Sequence, residues 1–101
     1  MNMVIICGKI ISKIEFKFIY DRYKNNEEKK NKNDDIYKHI SIARCKIKLS
    51  NNSIIEIYGY DNIADYMYRY FKENDDILLK GNLDSNMKIK LESCVRIPIF
   101  N

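Results

Sequence analysis

The chain has 101 residues, 46% of them hydrophobic, with a formal net charge of +4 and a pI near 8.9. That length predicts one domain around a single core, and that hydrophobic share excludes a disordered chain. No apolar run approaches the roughly 20 residues that cross a bilayer as a helix, so no membrane partner is expected.

The N-terminus, Met-Asn-Met-Val-Ile-Ile-Cys-Gly, lacks the basic start and cleavage site of a secretory signal, so the protein is expected to work where it is made. Met3 to Ile11 is rich in β-branched residues and reads as a strand. Val4, Ile6, Gly8 and Ile10 share one face, and Ile5, Cys7, Lys9 and Ile11 the other. Both faces are largely apolar, so cover is expected on both sides. The core takes one side. A second subunit, in a homodimer or homotetramer, would take the other through Ile5 and Cys7. Lys13 to Asp21 resumes alternation and reads as a bent continuation of this strand. Residues 22–38 are polar and aperiodic and predict a mobile loop.

His39 to Leu49 and Ile54 to Tyr60 read as a hairpin around the polar turn Ser50–Ser53. Ala43, Cys45, Ile47 and Leu49 fall on one face, and Arg44, Lys46 and Lys48 on the other. On the second strand Ile55 and Ile57 oppose Glu56, Tyr58 and Tyr60. One side of the hairpin is apolar, and the other mixes cations with tyrosine rings. Asp61 to Lys72 predicts the one helix, with Asp61 as N-cap and Ile63, Met67, Tyr70 and Phe71 as its buried stripe. Asn74 is suited to the left-handed turn that ends it. Asp76 to Leu83 is a strand with Ile77, Leu79 and Gly81 inward and Lys80 outward. Asp84-Ser85-Asn86 is a turn. Met87 to Ile97 is the last strand, with Met87, Ile89 and Leu91 opposite Lys88, Lys90 and Glu92. Counting the bent first strand once, the order is five strands with a helix between the third and fourth. That is the order of an all-β, five-stranded OB-fold barrel.

Cys7, Cys45 and Cys94 lie apart in strand-like runs, without a Cys-x-x-Cys pair and with a single histidine, His39. They predict buried reduced thiols and no metal site. No phosphate loop, glycine-rich nucleotide motif or nucleophile–base pair marks an enzyme, a cofactor or a small-molecule substrate. Ile, Lys, Asn and Tyr make up 52 of the 101 residues, which points to an AT-rich genome.

These residues, in this order, resemble the bacterial and organellar single-stranded DNA-binding protein family. Met1, Asn2, Val4, Gly8, Lys9, Ile10, Lys13, Glu15, Phe16 and Lys17 follow its opening strand. Ala43-Arg44-Cys45-Lys46-Ile47-Lys48-Leu49 is similar to its second, and Ile55-Glu56-Ile57-Tyr58-Gly59 to its third. Ala64, then Tyr70-Phe71-Lys72-Glu73-Asn74, then Ile77 to Leu83 follow its helix and fourth strand. All three glycines, Gly8, Gly59 and Gly81, fall at family glycine positions. The size and AT-rich composition resemble small plastid-encoded members, which implies a plastid, or otherwise the cytoplasm of an AT-rich bacterium or parasite. The sequence departs from the family in having no tryptophan, a short turn at Ser50–Ser53, no acidic C-terminal tail, and Ile14 in place of a common proline.

The resemblance implies sequence-independent binding of single-stranded DNA in replication or repair. Cations track the phosphates and flat rings stack on bases. Arg44, Lys46 and Lys48 supply a cation row, with Lys80, Lys88 and Lys90 on neighbouring strands. Tyr58 occupies the family's stacking position, Tyr60 lies two residues on, and Lys17 stands at a basic position. Two alternatives stay open: an assembly or adaptor module on the same barrel without nucleic-acid affinity, and an RNA-binding OB domain.

Overall fold

The computed structural model describes residues 2–22 and 37–97. The strands are β1 (Met3–Ile10), β2 (Glu15–Arg22), β3 (Tyr37–Lys48), β4 (Ile54–Tyr60), β5 (Asp76–Leu83) and β6 (Ile89–Arg96), with one helix, α1 (Asn62–Tyr70), between β4 and β5. Ladders run β1–β5–β6–β4–β3–β2, and a further β1–β3 pairing closes the barrel. All ladders are antiparallel except β4–β6. β1 and β2 are the two halves of one bent strand, so this is the five-stranded OB-fold barrel, with its helix between the third and fourth strands.

The bend arises where β3 changes partners. Lys9 and Ile10 pair with Lys48 and Ile47, and farther along the same strand Arg44 pairs with Glu15. Between the two ladders the Ile11 N–H donates to the Lys46 carbonyl at 2.9 Å, and the Lys46 N–H donates to Ser12 Oγ at 2.9 Å. A serine hydroxyl thus replaces a ladder carbonyl, so β3 loses no hydrogen bond as its neighbour turns away. Of the loop expected over 22–38, residues 23–36 lie outside the described residues. Its ends are strand, Arg22 in β2 and Tyr37 and Lys38 in β3.

The core is built from the predicted inward positions. Ile10, Ala43, Cys45, Ile47, Ile57, Ile77, Leu79, Ile89 and Leu91 are buried, together with Ala64 and Met67 from α1 and Phe71 just after it. Each buried aliphatic side chain contributes about 1.5–3 kcal/mol. The helix packs on β3, β4 and β6. Two glycines admit close approaches. A Cβ on Gly59 would overlap Ile63 of α1, and one on Gly81 would overlap the Lys90 carbonyl oxygen. Gly81 sits at the β5–β6 register shift, where Leu91 pairs with Gly81 and Ser93 with Lys80. Glu92 is the extra residue of this bulge. Alternation therefore inverts, and Cys94 rather than Ser93 packs against the core.

Several expectations are corrected. Asp61 precedes the helix with φ of 53° but makes no side-chain cap; its carbonyl accepts from the Asp65 N–H. The helix ends at Tyr70, and Phe71 is already extended. Asn74 has the expected positive φ of 77°, but in the following turn, where its N–H donates to the Ile10 carbonyl at 2.7 Å. Tyr70 is exposed, and Ala64 takes its place in the buried stripe, because the barrel contacts a narrower arc of the helix than the apolar residues span. Met87 is exposed and precedes β6, held at φ 62° in a turn organised by Asp84. The thiols differ from one another. Cys45 is buried, and burial pushes it up to about 12; Cys94 is half-buried and pushed up to about 11 for the same reason; Cys7 is exposed. The outer side of β1 is uncovered within one chain, with Ile5 67% exposed. No described helix is long and apolar enough to cross a membrane.

Candidate nucleic-acid interface

The outward residues of β2, β3, β4 and the start of β6 form one wall. Register sets their neighbours. Glu15 faces Arg44, Arg44 faces Tyr58, and Tyr58 faces Lys90, a single row across four strands. The next row is Lys17, Ile42 and Tyr60, and on the other side Lys46 faces Glu56. Residues opposed across a ladder have Cβ atoms about 4.5–5.5 Å apart. Of the nine predicted contact residues, the fold gathers seven here: Lys17, Arg44, Lys46, Tyr58, Tyr60, Lys88 and Lys90. Lys48 extends the row away from the tyrosines, beside Lys9 and the exposed Ile54. Lys80 lies on another wall, between Ile5 and Ser93.

The two rings form an edge-to-face pair with centroids 5.8 Å apart and planes at 85°. Their exposure differs. Tyr60 stands at the surface, 36% exposed, and Lys90 Nζ lies 5.5 Å from its ring centroid. Tyr58 is half-buried, and its hydroxyl donates to Asp84 Oδ2 at 2.8 Å. Burial pushes the Tyr58 phenol up to about 12, and the Asp84 carboxylate adds to the shift, since a phenolate there would face another negative charge. Asp84 is in turn held below the usual carboxylate range, first by the Lys88 N–H and then by the Tyr58 hydroxyl. Its other oxygen, Oδ1, accepts the Asn86 and Lys88 N–H groups at 2.8 and 3.0 Å. One carboxylate therefore fixes both the β5–β6 turn and the Tyr58 ring.

Two cations of the wall already carry partners. Arg44 Nε donates to Glu15 Oε1 at 2.7 Å, which lowers the Glu15 carboxyl and raises Arg44. Lys88 Nζ lies 3.5 Å from Glu56 Oε2. The Arg44–Glu15 pair is solvent-exposed and the Lys88–Glu56 pair partly so, and such pairs are weak enough for a phosphate to compete for either cation. Five cations face three acids, leaving this wall with a net charge of about +2. A shallow groove of about 210 Å³ runs between Arg44, Glu56, Tyr58, Tyr60, Asp84 and Lys88. A second, of about 340 Å³, continues from Arg44 and Glu56 to Lys46, Ser12 and Lys13.

The sequence reading missed the acids. Glu15 and Asp84 belong to the site as much as the lysines do. Glu15 was visible only as a residue of the opening strand, and Asp84 only as a turn former. Among the described residues no group of three His, Cys, Asp or Glu side chains is placed to hold a metal ion.

No protein-family model matches the sequence, and no curated protein matches it. Solved structures do match in fold. The single-stranded DNA binding protein of Thermus aquaticus superposes with a TM-score of 0.71 at 13% identity over 100% of this chain, which spans 42% of that protein. The SSB domain of a Synechococcus protein gives 0.64 at 14% identity, covering 93% of each chain. PriB of Ralstonia solanacearum gives 0.62 at 11% identity, covering 96% of this chain and 99% of that one. The fold is thus the OB-fold that SSB-type proteins share.

Proposed function

We propose that the chain binds single-stranded DNA without reading its sequence, through the wall carrying Tyr58, Tyr60, Arg44, Lys46, Lys88, Lys90 and Lys17, and that it does so as a non-enzymatic coat during replication or repair. One observation carries the reading. Two tyrosine rings 5.8 Å apart share an outer wall with five cations, on a barrel of the kind that SSB-type proteins use. Rings stack on bases of any identity, and each stack is worth about 1–3 kcal/mol, while the cations exchange counterions with phosphates. Two rings and a few phosphate contacts give modest affinity that falls steeply with salt.

The β1 outer side, with Ile5 and Cys7 exposed, is proposed as the contact between subunits of a homo-oligomer. The composition supports an AT-rich genome, a plastid first, as the setting.

A specific observation favours a second reading, the adaptor module. Arg44 and Lys88, the two cations that line the groove beside Tyr58, are already paired with Glu15 and Glu56. Anisotropy titration with oligo-dT, oligo-rU and a duplex, at two salt concentrations, separates the readings. Preference for oligo-dT with a steep salt slope is the expected result. Equal or tighter rU binding supports an RNA ligand instead, and no binding of any probe at low salt leaves the adaptor.

A further inference from the structure

An exposed aromatic cluster lies off the wall just described. On the opposite face of β2, Phe16 and Phe18 meet edge-to-face with ring centroids 5.3 Å apart, and Phe16 meets Tyr68 of α1 at 4.8 Å. Phe16 packs against the core, but Phe18 is 59% and Tyr68 60% exposed. Two large rings are thus held in water by a third that is anchored. Beside them a groove of about 270 Å³ is lined by Lys13, Ile14, Tyr68, Phe71, Lys72 and Glu73. Two lysines and one acid line it, so it favours an anion with flat apolar parts over a purely apolar peptide.

This groove is continuous with the wall. The groove between the tyrosines shares Arg44 and Glu56 with the groove at the bend. The groove at the bend shares Lys13 with the one beside Tyr68. The bend between β1 and β2 is therefore a saddle with a cation on its crest, joining two ring-bearing surfaces on opposite faces of β2.

We infer that a bound single strand does not end at the Tyr58–Tyr60 wall but crosses the bend over Lys13 and stacks further bases on Tyr68 and Phe18, with Lys72 against its backbone. The inference rests on the single-strand reading of the wall and extends it to a second stacking site. A strand long enough to cross the bend gains from both sites, while a short one is satisfied by the wall alone.

The test uses the full chain and a double variant, Phe18→Leu with Tyr68→Leu, which keeps apolar volume at two exposed positions and removes only the ring faces. Binding is measured for oligo-dT of about 8 and about 24 nucleotides, one within and one beyond the roughly 4–16 nucleotides that one OB-fold covers. The double variant is expected to bind the long strand about tenfold more weakly and the short one within about twofold of the unaltered chain. Lys13→Glu is expected to weaken the long strand and to lower its salt slope by about one. Unchanged long-strand affinity in the double variant overturns the second site and leaves the wall standing. Equal weakening for both lengths means the rings support the wall and not a path beyond it, which also overturns it. A shift in sedimentation with no change in DNA affinity makes the cluster a subunit contact. If the unaltered chain binds neither length, the wall reading falls and takes this one with it.

Discussion

On the β3–β4 wall the outward positions hold Arg44, Lys46, Glu56, Tyr58 and Tyr60; on the β1–β5–β6 wall the equivalent positions hold Ile5, Cys7, Leu78 and Val95. The inward positions of the two walls are interchangeable aliphatics, Ile47 and Ile57 against Ile77 and Leu79. The core therefore says nothing about which wall does what. The difference lies in the side chains that folding leaves in water. One wall is polar with rings among its charges, which suits a polyanion with flat bases. The other offers Ile5, Leu78 and Val95 around a groove of about 290 Å³, which suits apolar contact with another protein surface. Lys80 stands on this wall between Ile5 and Ser93, apart from the other cations assigned to DNA.

Both walls stand on one barrel, so the largest effect is expected where the barrel itself is broken. Gly81→Ala drives a methyl group into the Lys90 carbonyl at the β5–β6 bulge, where backbone cannot yield as a side chain could. A loss of about 3 kcal/mol or more is expected in urea unfolding, with both surfaces lost together. A variant that melts like the unaltered chain would mean that the bulge is looser than described.

Tyr58→Ala separates the walls. It removes one stacking ring and the Asp84 contact from a half-buried position, so it should weaken oligo-dT binding about 5- to 150-fold while the fold and the oligomer persist. Ile5→Asp makes the opposite cut. A carboxylate on the exposed apolar wall should shift light scattering toward monomer at micromolar concentration, with the far-ultraviolet dichroism unchanged. If it instead leaves the mass unaltered, the β1 surface is not the contact between subunits.

The smallest effect is in pH. The Tyr58 phenol titrates from 10.0 when unfolded to about 12 when folded. Holding the proton favours the folded state, so this contribution is whole below pH 10 and is lost as pH rises from 10 toward 12. Tyr58→Phe should abolish the delayed phenolate absorbance and flatten that part of the alkaline unfolding curve. Asp84→Asn should advance the titration, because it removes the negative charge beside the hydroxyl while burial remains.

The strands, their faces and the helix were legible because alternation and helical spacing are local properties. Arg44, Lys46, Tyr58 and Tyr60 stand on one wall because each lies an even number of residues from its neighbour and the Ser50–Ser53 turn joins their strands directly. The Glu15–Arg44 pair was not legible. It depends on the β2–β3 register, which carries no local signal. Asp84 was hidden for a similar reason, since its turn is local but its contact with Tyr58 crosses from one hairpin to another. Met87 and Tyr70 failed differently. Each fits an apolar period in the sequence, but a positive φ turns one outward, and a narrow helix footprint leaves the other in water. The bulge at Glu92 inverted the last strand because an inserted residue is invisible until the partner strand is known.

Photocrosslinking of oligo-dT to the unaltered chain, followed by mass spectrometric assignment of the adducts, tests most directly which wall meets DNA. Adducts on Tyr58 and Tyr60 are the predicted result. Adducts confined to the Ile5, Leu78 and Val95 side, or none where duplex-free oligo-dT saturates the protein, would contradict it.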